Sequence, residues 1–281
     1  AKIDENILAS LPYPEAKRLA EFFLIQKRIG MLAEGAGAWL KKVSPDGRLR
    51  HRLNSNNCVS GRATATSPNL QQVPSSGSPY GKECRELFTA PRGWVICGTD
   101  LSGIELRLLA SYLHPYDGGE YSKQILEGDI HTYNQHAAGL ATRNLAKTWV
   151  YATLYGGGDR LIGAIAGGGA KKGKQLKDNY DKAVPAFATL KRNLKTAAKR
   201  GHIKALDGRK LRVRSEHRCL SQLLQSAGAI VAKQWVMMTY DKIKEKYGDR
   251  VFIMGWIHDE MQIACKTKEI AEDVGNIAGA M

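Results

Sequence analysis

The hydrophobic positions of this chain change period several times, and each change marks an element. Across residues 15–34, Leu19, Phe22, Phe23, Ile29 and Leu32 recur at helical spacing and predict an amphipathic helix. Residues 45–82 are rich in Ser, Asn, Pro and Gly, which predicts mostly loop with short strands. The run WVICGT (94–99) leads into Asp100 and suits a buried strand. Helical spacing returns over 104–113 and again over 142–155, where Gly156-Gly157-Gly158 is a stop signal. A second cluster, Gly167-Gly168-Gly169, precedes a basic helical stretch. Asp207-Gly208 signals a hairpin turn, and residues 220–247 read as one long helix. VFIMGWI (251–257), His258-Asp259 and MQIAC (261–265) read as strand, tight turn, strand, before a last amphipathic stretch at 268–281.

With 281 residues, 43% hydrophobic and 25% charged, the chain suits one large or two modest globular domains with a real core. No apolar run approaches the ~18 residues of a membrane span. The opening Ala1-Lys2-Ile3-Asp4-Glu5-Asn6 lacks a signal peptide's basic-then-apolar order. It also lacks an initiator Met, so the chain reads as a piece of something longer. Five cysteines, with no C-x-x-C pair, argue against a disulfide framework or zinc site and suit a reducing cytoplasm.

Charge narrows the classes. The net charge is +15, and residues 171–218 alone hold sixteen Lys+Arg against four Asp+Glu. A solvated helix face and a polyanionic partner both fit such a stretch. Its continuation through a turn into Arg209, Arg212 and Arg214 favours contact with phosphates.

Two acidic residues end apolar strands, Asp100 and Asp259, 159 positions apart in sequence. Each alone is also an ordinary turn residue. Brought together they would repel unless a divalent cation lay between them. Hard oxygen donors suit Mg²⁺, and a pair of such metal ions suits phosphoryl transfer. In 142–155, Arg143, Lys147, Tyr151 and Tyr155 recur every fourth residue and share one helix face. That stripe could grip a triphosphate and stack a base, with His131 upstream as a further donor. It could equally be an exposed basic face whose tyrosines pack on a neighbour.

These segments resemble the motifs of family A DNA polymerases. Asp100-Leu-Ser-Gly-Ile-Glu105-Leu-Arg107 is similar to motif A. Arg143-Asn-Leu-Ala-Lys147-Thr-Trp-Val-Tyr151-Ala-Thr-Leu-Tyr155-Gly156 is similar to motif B, and Ile257-His258-Asp259-Glu260 to motif C. Ser60-Gly-Arg62-Ala-Thr64, with Pro68-Asn69-Leu70 to Pro74, resembles the primer-side segment. Leu223-Leu224-Gln225-Ser226-Ala-Gly228 resembles the helix before motif C. IQKRIG (25–30), SPYG (78–81) and LDGRK (206–210) look most like replicative polymerases of short-tailed lytic phages. The resemblance covers essentially the whole chain.

The resemblance implies an α+β, right-hand polymerase fold, with an antiparallel palm sheet and inserted helical fingers. It implies a thumb remnant over 1–42, palm over 43–112 and 221–281, and fingers over 113–220. Asp100 and Asp259 would hold two Mg²⁺ ions with the Leu101 carbonyl, and Glu260 would be an accessory carboxylate. His131, Arg143 and Lys147 would bind the dNTP phosphates, with Lys147 protonating pyrophosphate. Glu105 would exclude the 2′-hydroxyl of ribonucleotides, and Tyr151 would lie near the 3′ position. Tyr155 would stack in the template-base position, and Gly158 would also meet DNA. Arg62, Gln225 and His258 would touch the minor groove, whose acceptors are common to every correct pair.

Primer–template DNA and dNTPs are the implied partners, with no membrane, in the cytoplasm of an infected bacterial host. A processivity factor such as thioredoxin contacts, in the related phage enzymes, a thumb region this chain lacks. Ala152 departs from the family's usual Gly. The chain starts partway into the thumb and stops about 20 residues after motif C, which raises a second expectation, a catalytically inactive DNA-binding fragment. A metal-dependent nuclease gives Glu105 and the 143–155 stripe no use. A single-subunit RNA polymerase conflicts with exclusion by Glu105.

Overall fold

The computed structural model describes residues 5–281; Ala1–Asp4, where the reading of the chain's opening begins, lie outside them. The chain divides into two compact units, one of residues 1–55 and 63–94, the other of 56–62 and 95–281.

The first unit carries helices α1 (Glu5–Ser10) and α2 (Pro14–Ile29), the latter continued by a wider turn over Gly30–Glu34. Pro14 opens α2, where the missing N–H would have had no helical acceptor. Strands β1 (Arg52–Asn54) and β2 (Thr64–Thr66) pair antiparallel, and helix α3 spans Gly81–Glu86. Trp39 is buried edge-on against Phe88, ring centroids 5.0 Å apart. The predicted helix is present, but Phe22 remains 56% exposed and Leu19, Phe23 and Ile29 about 40%. An apolar stripe ordinarily faces a core. Only Ala20 of α2 is buried, so here the period fixed the helix and not its burial.

The second unit begins with β3 (Val95–Asp100), then α4 (Ile104–Asp117), α5 (Glu120–Leu126), α6 (Ile130–Ala138), α7 (Arg143–Leu154), α8 (Asp159–Ile165), α9 (Ala170–Ala183) and α10 (Pro185–Ala198). The small hairpin β4 (His202–Lys204) and β5 (Lys210–Arg212) turns at Asp207-Gly208. Then follow α11 (Cys219–Tyr247), β6 (Val251–Ile257), β7 (Glu260–Cys265) and α12 (Lys268–Ala280). Among the described residues no helix is long and apolar enough to cross a membrane.

Strands β3, β7 and β6 form one antiparallel sheet in that order. Alternation sorts its two faces. Met261, Ile263 and Cys265 are fully buried with Trp235, Ile243 and Val274 of α11 and α12. Ile96, Gly98 and Asp100 take the opposite, exposed parity of β3. A second, helical core gathers Leu109, Trp149, Leu154, Tyr180, Phe187 and Leu224. The helix α11 supplies both cores, Leu223 and Leu224 to one and Trp235 and Ile243 to the other. The sheet and the helical layer are thereby tied to one rigid element.

Helices α8 and α9 meet at two glycines. A Cβ on Gly173 would lie 1.9 Å from the Asp159 carbonyl oxygen, and one on Gly163 2.0 Å from that of Gly169. Backbone sits on both sides, so neither position can relax cheaply. Gly173→Ala is expected to cost about 3 kcal/mol or more. Calorimetry should show the midpoint falling by roughly 6–12 °C.

Candidate active site

The sheet brings the carboxylates together. In the β3–β7 ladder Asp100 stands opposite Glu260, and residues so paired share a face with Cβ atoms about 4.5–5.5 Å apart. The β6–β7 connection is only His258-Asp259, since Ile257 already pairs with Glu260. The Leu101 N–H donates to the Asp259 carbonyl at 3.0 Å, extending the ladder past the strand end. Asp100, Asp259 and Glu260 therefore gather at one sheet edge. Burial first, then the charges of Asp259 and Glu260, hold the Asp100 carboxyl above its ordinary range.

The turn is strained. His258 takes φ +58°, the left-handed region that a non-glycine residue enters only when its surroundings require it. Trp256 Nε1 fixes it, donating to the His258 carbonyl at 2.8 Å. Its Nδ1 is buried without a hydrogen-bond partner. Burial, then the charge of Arg62, lowers the His258 pKa against the opposing pull of Asp259.

Glu105 lies in the first turn of α4 and is 8% exposed. Tyr155 OH lies 2.8 Å from both its oxygens, and Arg62 Nη2 pairs with it at 3.1 Å. Burial and the Glu105 bond push the Tyr155 hydroxyl up to about 12. Tyr151 is raised by burial and then by the charges of Glu105 and Asp259, so the α7 stripe reaches the carboxylate edge.

The other end of the stripe is cationic. Thr142 caps α7, its hydroxyl accepting from Leu145 N–H at 3.3 Å. Arg143 follows, at the helix end least favourable to a cation. Asp129 offsets this, accepting from Arg143 Nε at 2.5 Å and Nη2 at 3.2 Å. Asp129 also caps α6 through the His131 and Thr132 N–H groups. The His131 ring lies 6.5 Å from that of Tyr151 and leaves Nδ1 buried and unpartnered. Burial, then the charge of Arg143 and also that of Lys147, lower its pKa. His131, Arg143, Lys147 and Tyr151 thus share one neighbourhood.

Of the remaining predicted residues, Leu101 packs against the sheet core, Gln225 is half-buried on α11, and Gly158 is exposed at the start of α8. Ala152 packs against the helical core. Beside the end of α7, a cavity of about 660 Å³ is lined by Gly156, Gly157, Lys177, Lys191, Arg192 and Lys195, among others. It draws on the basic stretch read from the sequence. Two of its cations are internally paired, Lys177 with Asp159 at 2.9 Å and Lys191 with Asp181 at 2.7 Å.

The donor set suits a hard cation. Among the described residues no three His, Cys, Asp or Glu side chains form a ready metal cage. Mg²⁺ does not need one, because it binds through one or two carboxylates completed by water and substrate phosphates. Asp100 and Asp259 would be such donors, and their mutual repulsion is what a cation would relieve. Two partners escaped sequence reasoning. Asp129, before Ile130-His131, carried an N-cap signal. Gln262 sits two residues after Glu260 on β7, and its side-chain amide donates to the Glu260 carboxylate.

The family profile of DNA polymerase family A matches residues 1–281. Among curated relatives, the DNA-directed DNA polymerase of Enterobacteria phage T3 is 43% identical over 98% of this chain and 44% of its own length. That of Escherichia phage T7 is 42% identical over 97% and 44%. The chain spans less than half the length of these relatives. The solved POL domain of Pol1 from M. smegmatis, in complex with DNA primer-template and dNTP, superposes with a TM-score of 0.76. It covers 94% of this chain and 48% of its own at 21% identity, a likeness of fold. The chain belongs to DNA polymerase family A.

Proposed function

We propose that this chain carries template-directed DNA synthesis in phage replication inside an infected bacterial cell, adding a dNMP to a primer 3′-OH and releasing pyrophosphate. The observation that carries this reading is the β3–β7 ladder, which sets Asp100 opposite Glu260 and bonds Leu101 N–H to Asp259. Residues 43–112 and 221–281 serve as palm, 113–220 as fingers and 1–42 as the thumb remnant.

Asp100 and Asp259, with the Leu101 carbonyl, hold two divalent cations, Mg²⁺ by the hardness of the donors. Bound there, such ions activate the 3′-hydroxyl and neutralise charge on the triphosphate. Glu260 adds a third carboxylate. Arg143, Lys147 and His131 bind the phosphates; to do so Arg143 leaves Asp129. As the O3′–Pα bond forms, the 3′-hydroxyl proton passes to solvent, the bond to pyrophosphate breaks and Lys147 gives a proton to the departing oxygen. Glu105, clasped by Tyr155 and Arg62, crowds the sugar 2′ position, and Tyr151 lies at the 3′ position. Tyr155, Gly158, Gln225, Arg62 and His258 meet template and nascent pair.

Single-nucleotide extension of four primer–templates in Mg²⁺ tests the reading. Each template should accept only its complementary dNTP. Salt-sensitive DNA binding without extension would support the second reading, a catalytically inactive DNA-binding chain.

A further inference from the structure

We propose that Gln262 is a positioning residue for the reaction: its side-chain amide fixes the Glu260 carboxylate on the open face of the sheet, and Gly98 keeps the space that amide occupies. This rests on the reading of Asp100, Asp259 and Glu260 as the nucleotidyl-transfer centre.

Glu260 and Gln262 are two apart on β7, so their side chains leave the same face. Gln262 Nε2 donates to Glu260 Oε1. The orientation of the amide follows from chemistry, because an ionised carboxylate only accepts hydrogen bonds and the amide must turn its NH₂ group towards it. One Glu260 oxygen is engaged in this way, and the other remains as an acceptor.

The neighbouring strands make room for this bond. Gln262 pairs with Gly98 on β3 and with Gly255 on β6, so neither cross-strand position offers a side chain. Gly255 follows a register irregularity, where glycine is common, and a Cβ there would meet only Ile257 Cδ1 at 3.5 Å. Gly98 differs. It lies in regular strand pairing, where glycine weakens a sheet without helping its geometry. A Cβ on Gly98 would stand 3.2 Å from Gln262 Nε2 and 3.4 Å from Oε1, and its three nearest neighbours all belong to that amide. The glycine is explained by the amide lying across it. Asp100 comes two residues later on the same strand, so Gly98, Asp100, Glu260 and Gln262 form one four-residue patch on the open face.

Glu260 needs such a holder. Three rotatable bonds let an unheld glutamate swing away from Asp100 and Asp259, whose charges repel it. A donor on its own strand opposes that swing without adding a cation that would compete for the carboxylates. Removing a partner behind a metal site commonly costs 10- to 100-fold in affinity or activity.

The test uses the full chain and two readouts, single-nucleotide extension and Mn²⁺ binding followed by electron paramagnetic resonance. Gln262→Leu should lower kcat about tenfold and weaken Mn²⁺ binding, while KM for dNTP and affinity for primer–template stay at wild-type values. Gln262→Asn keeps the amide but falls one methylene short, and it should behave alike; it replaces the leucine variant if that one does not fold. Gly98→Ala should reproduce the defect in the wild-type background and add nothing in Gln262→Ala, where the obstructed group is gone. Wild-type kcat and Mn²⁺ binding in Gln262→Leu, with Asp259→Ala still abolishing both, would overturn this proposal alone. So would a Gly98→Ala defect of equal size in both backgrounds. A wild-type chain that neither extends primers nor binds Mn²⁺ would overturn the site reading and the proposal with it.

Discussion

Asp100→Asn should abolish extension and, without metal, make the protein more stable. The activity loss is expected at about 1,000-fold or more, the scale on which removing one preorganised electrostatic group acts. The stability gain has the opposite sign for the same reason. Asp100 shares its edge with Asp259 and Glu260, which with burial raise its carboxyl above the ordinary range. Like charges about 4 Å apart in a wet site repel by roughly 1 kcal/mol, so the metal-free midpoint should rise by about 2–4 °C. The pH dependence follows. The unfolded chain ionises Asp100 first, so the metal-free fold loses stability as pH rises from the ordinary carboxylate value through the raised one. Asp100→Asn should flatten that slope in a melting series. Saturating Mg²⁺ should stabilise the wild type and leave the variant nearly unmoved. A variant no more stable than wild type would mean that the carboxylates do not confront one another.

Glu105→Ala should bring the second largest change, in sugar selection. The glutamate is rigid because two donors hold it, the Tyr155 hydroxyl, whose one proton is shared between both carboxylate oxygens, and Arg62 Nη2. A pinned carboxylate rejects a 2′-hydroxyl both by volume and by leaving no room to turn aside. Removing it should narrow the preference for dNTP over rNTP by about 100-fold or more, read as the ratio of kcat/KM values. Stability should fall by about 1–3 kcal/mol, because Arg62 and Tyr155 lose their partner in a half-buried place. Glu105→Gln keeps the shape and should retain most of the selection. An unchanged sugar preference in Glu105→Ala would remove Glu105 from that role.

Much of this was legible in the residues. Apolar runs ending in Asp100 and Asp259 predicted strands, and both occur with the turn between β6 and β7 as read. The spacing of Arg143, Lys147 and Tyr151 predicted a shared face, and they do share a neighbourhood. Periodicity is local, so it reports which way a side chain leaves its own element. It does not report what lies opposite. The exposed Phe22 and Leu19 show the first limit, for α2 has an apolar stripe that the described residues leave largely uncovered. Asp129 clasping Arg143 across 14 positions shows the second. Gln262 and Gly98 show the third, since their relation exists only through the β3–β7 register.

Asp100 and Asp259 are expected to act as one site although 159 positions separate them in sequence. Extension rates of Asp100→Ala, Asp259→Ala and the double variant, at saturating DNA and dNTP, test it most directly. Groups that act as a unit are far from additive. The double variant should therefore be no slower than either single one, with primer–template affinity changed by less than about threefold. Losses that multiply in the double variant, or a rate near wild type for Asp259→Ala, would contradict it.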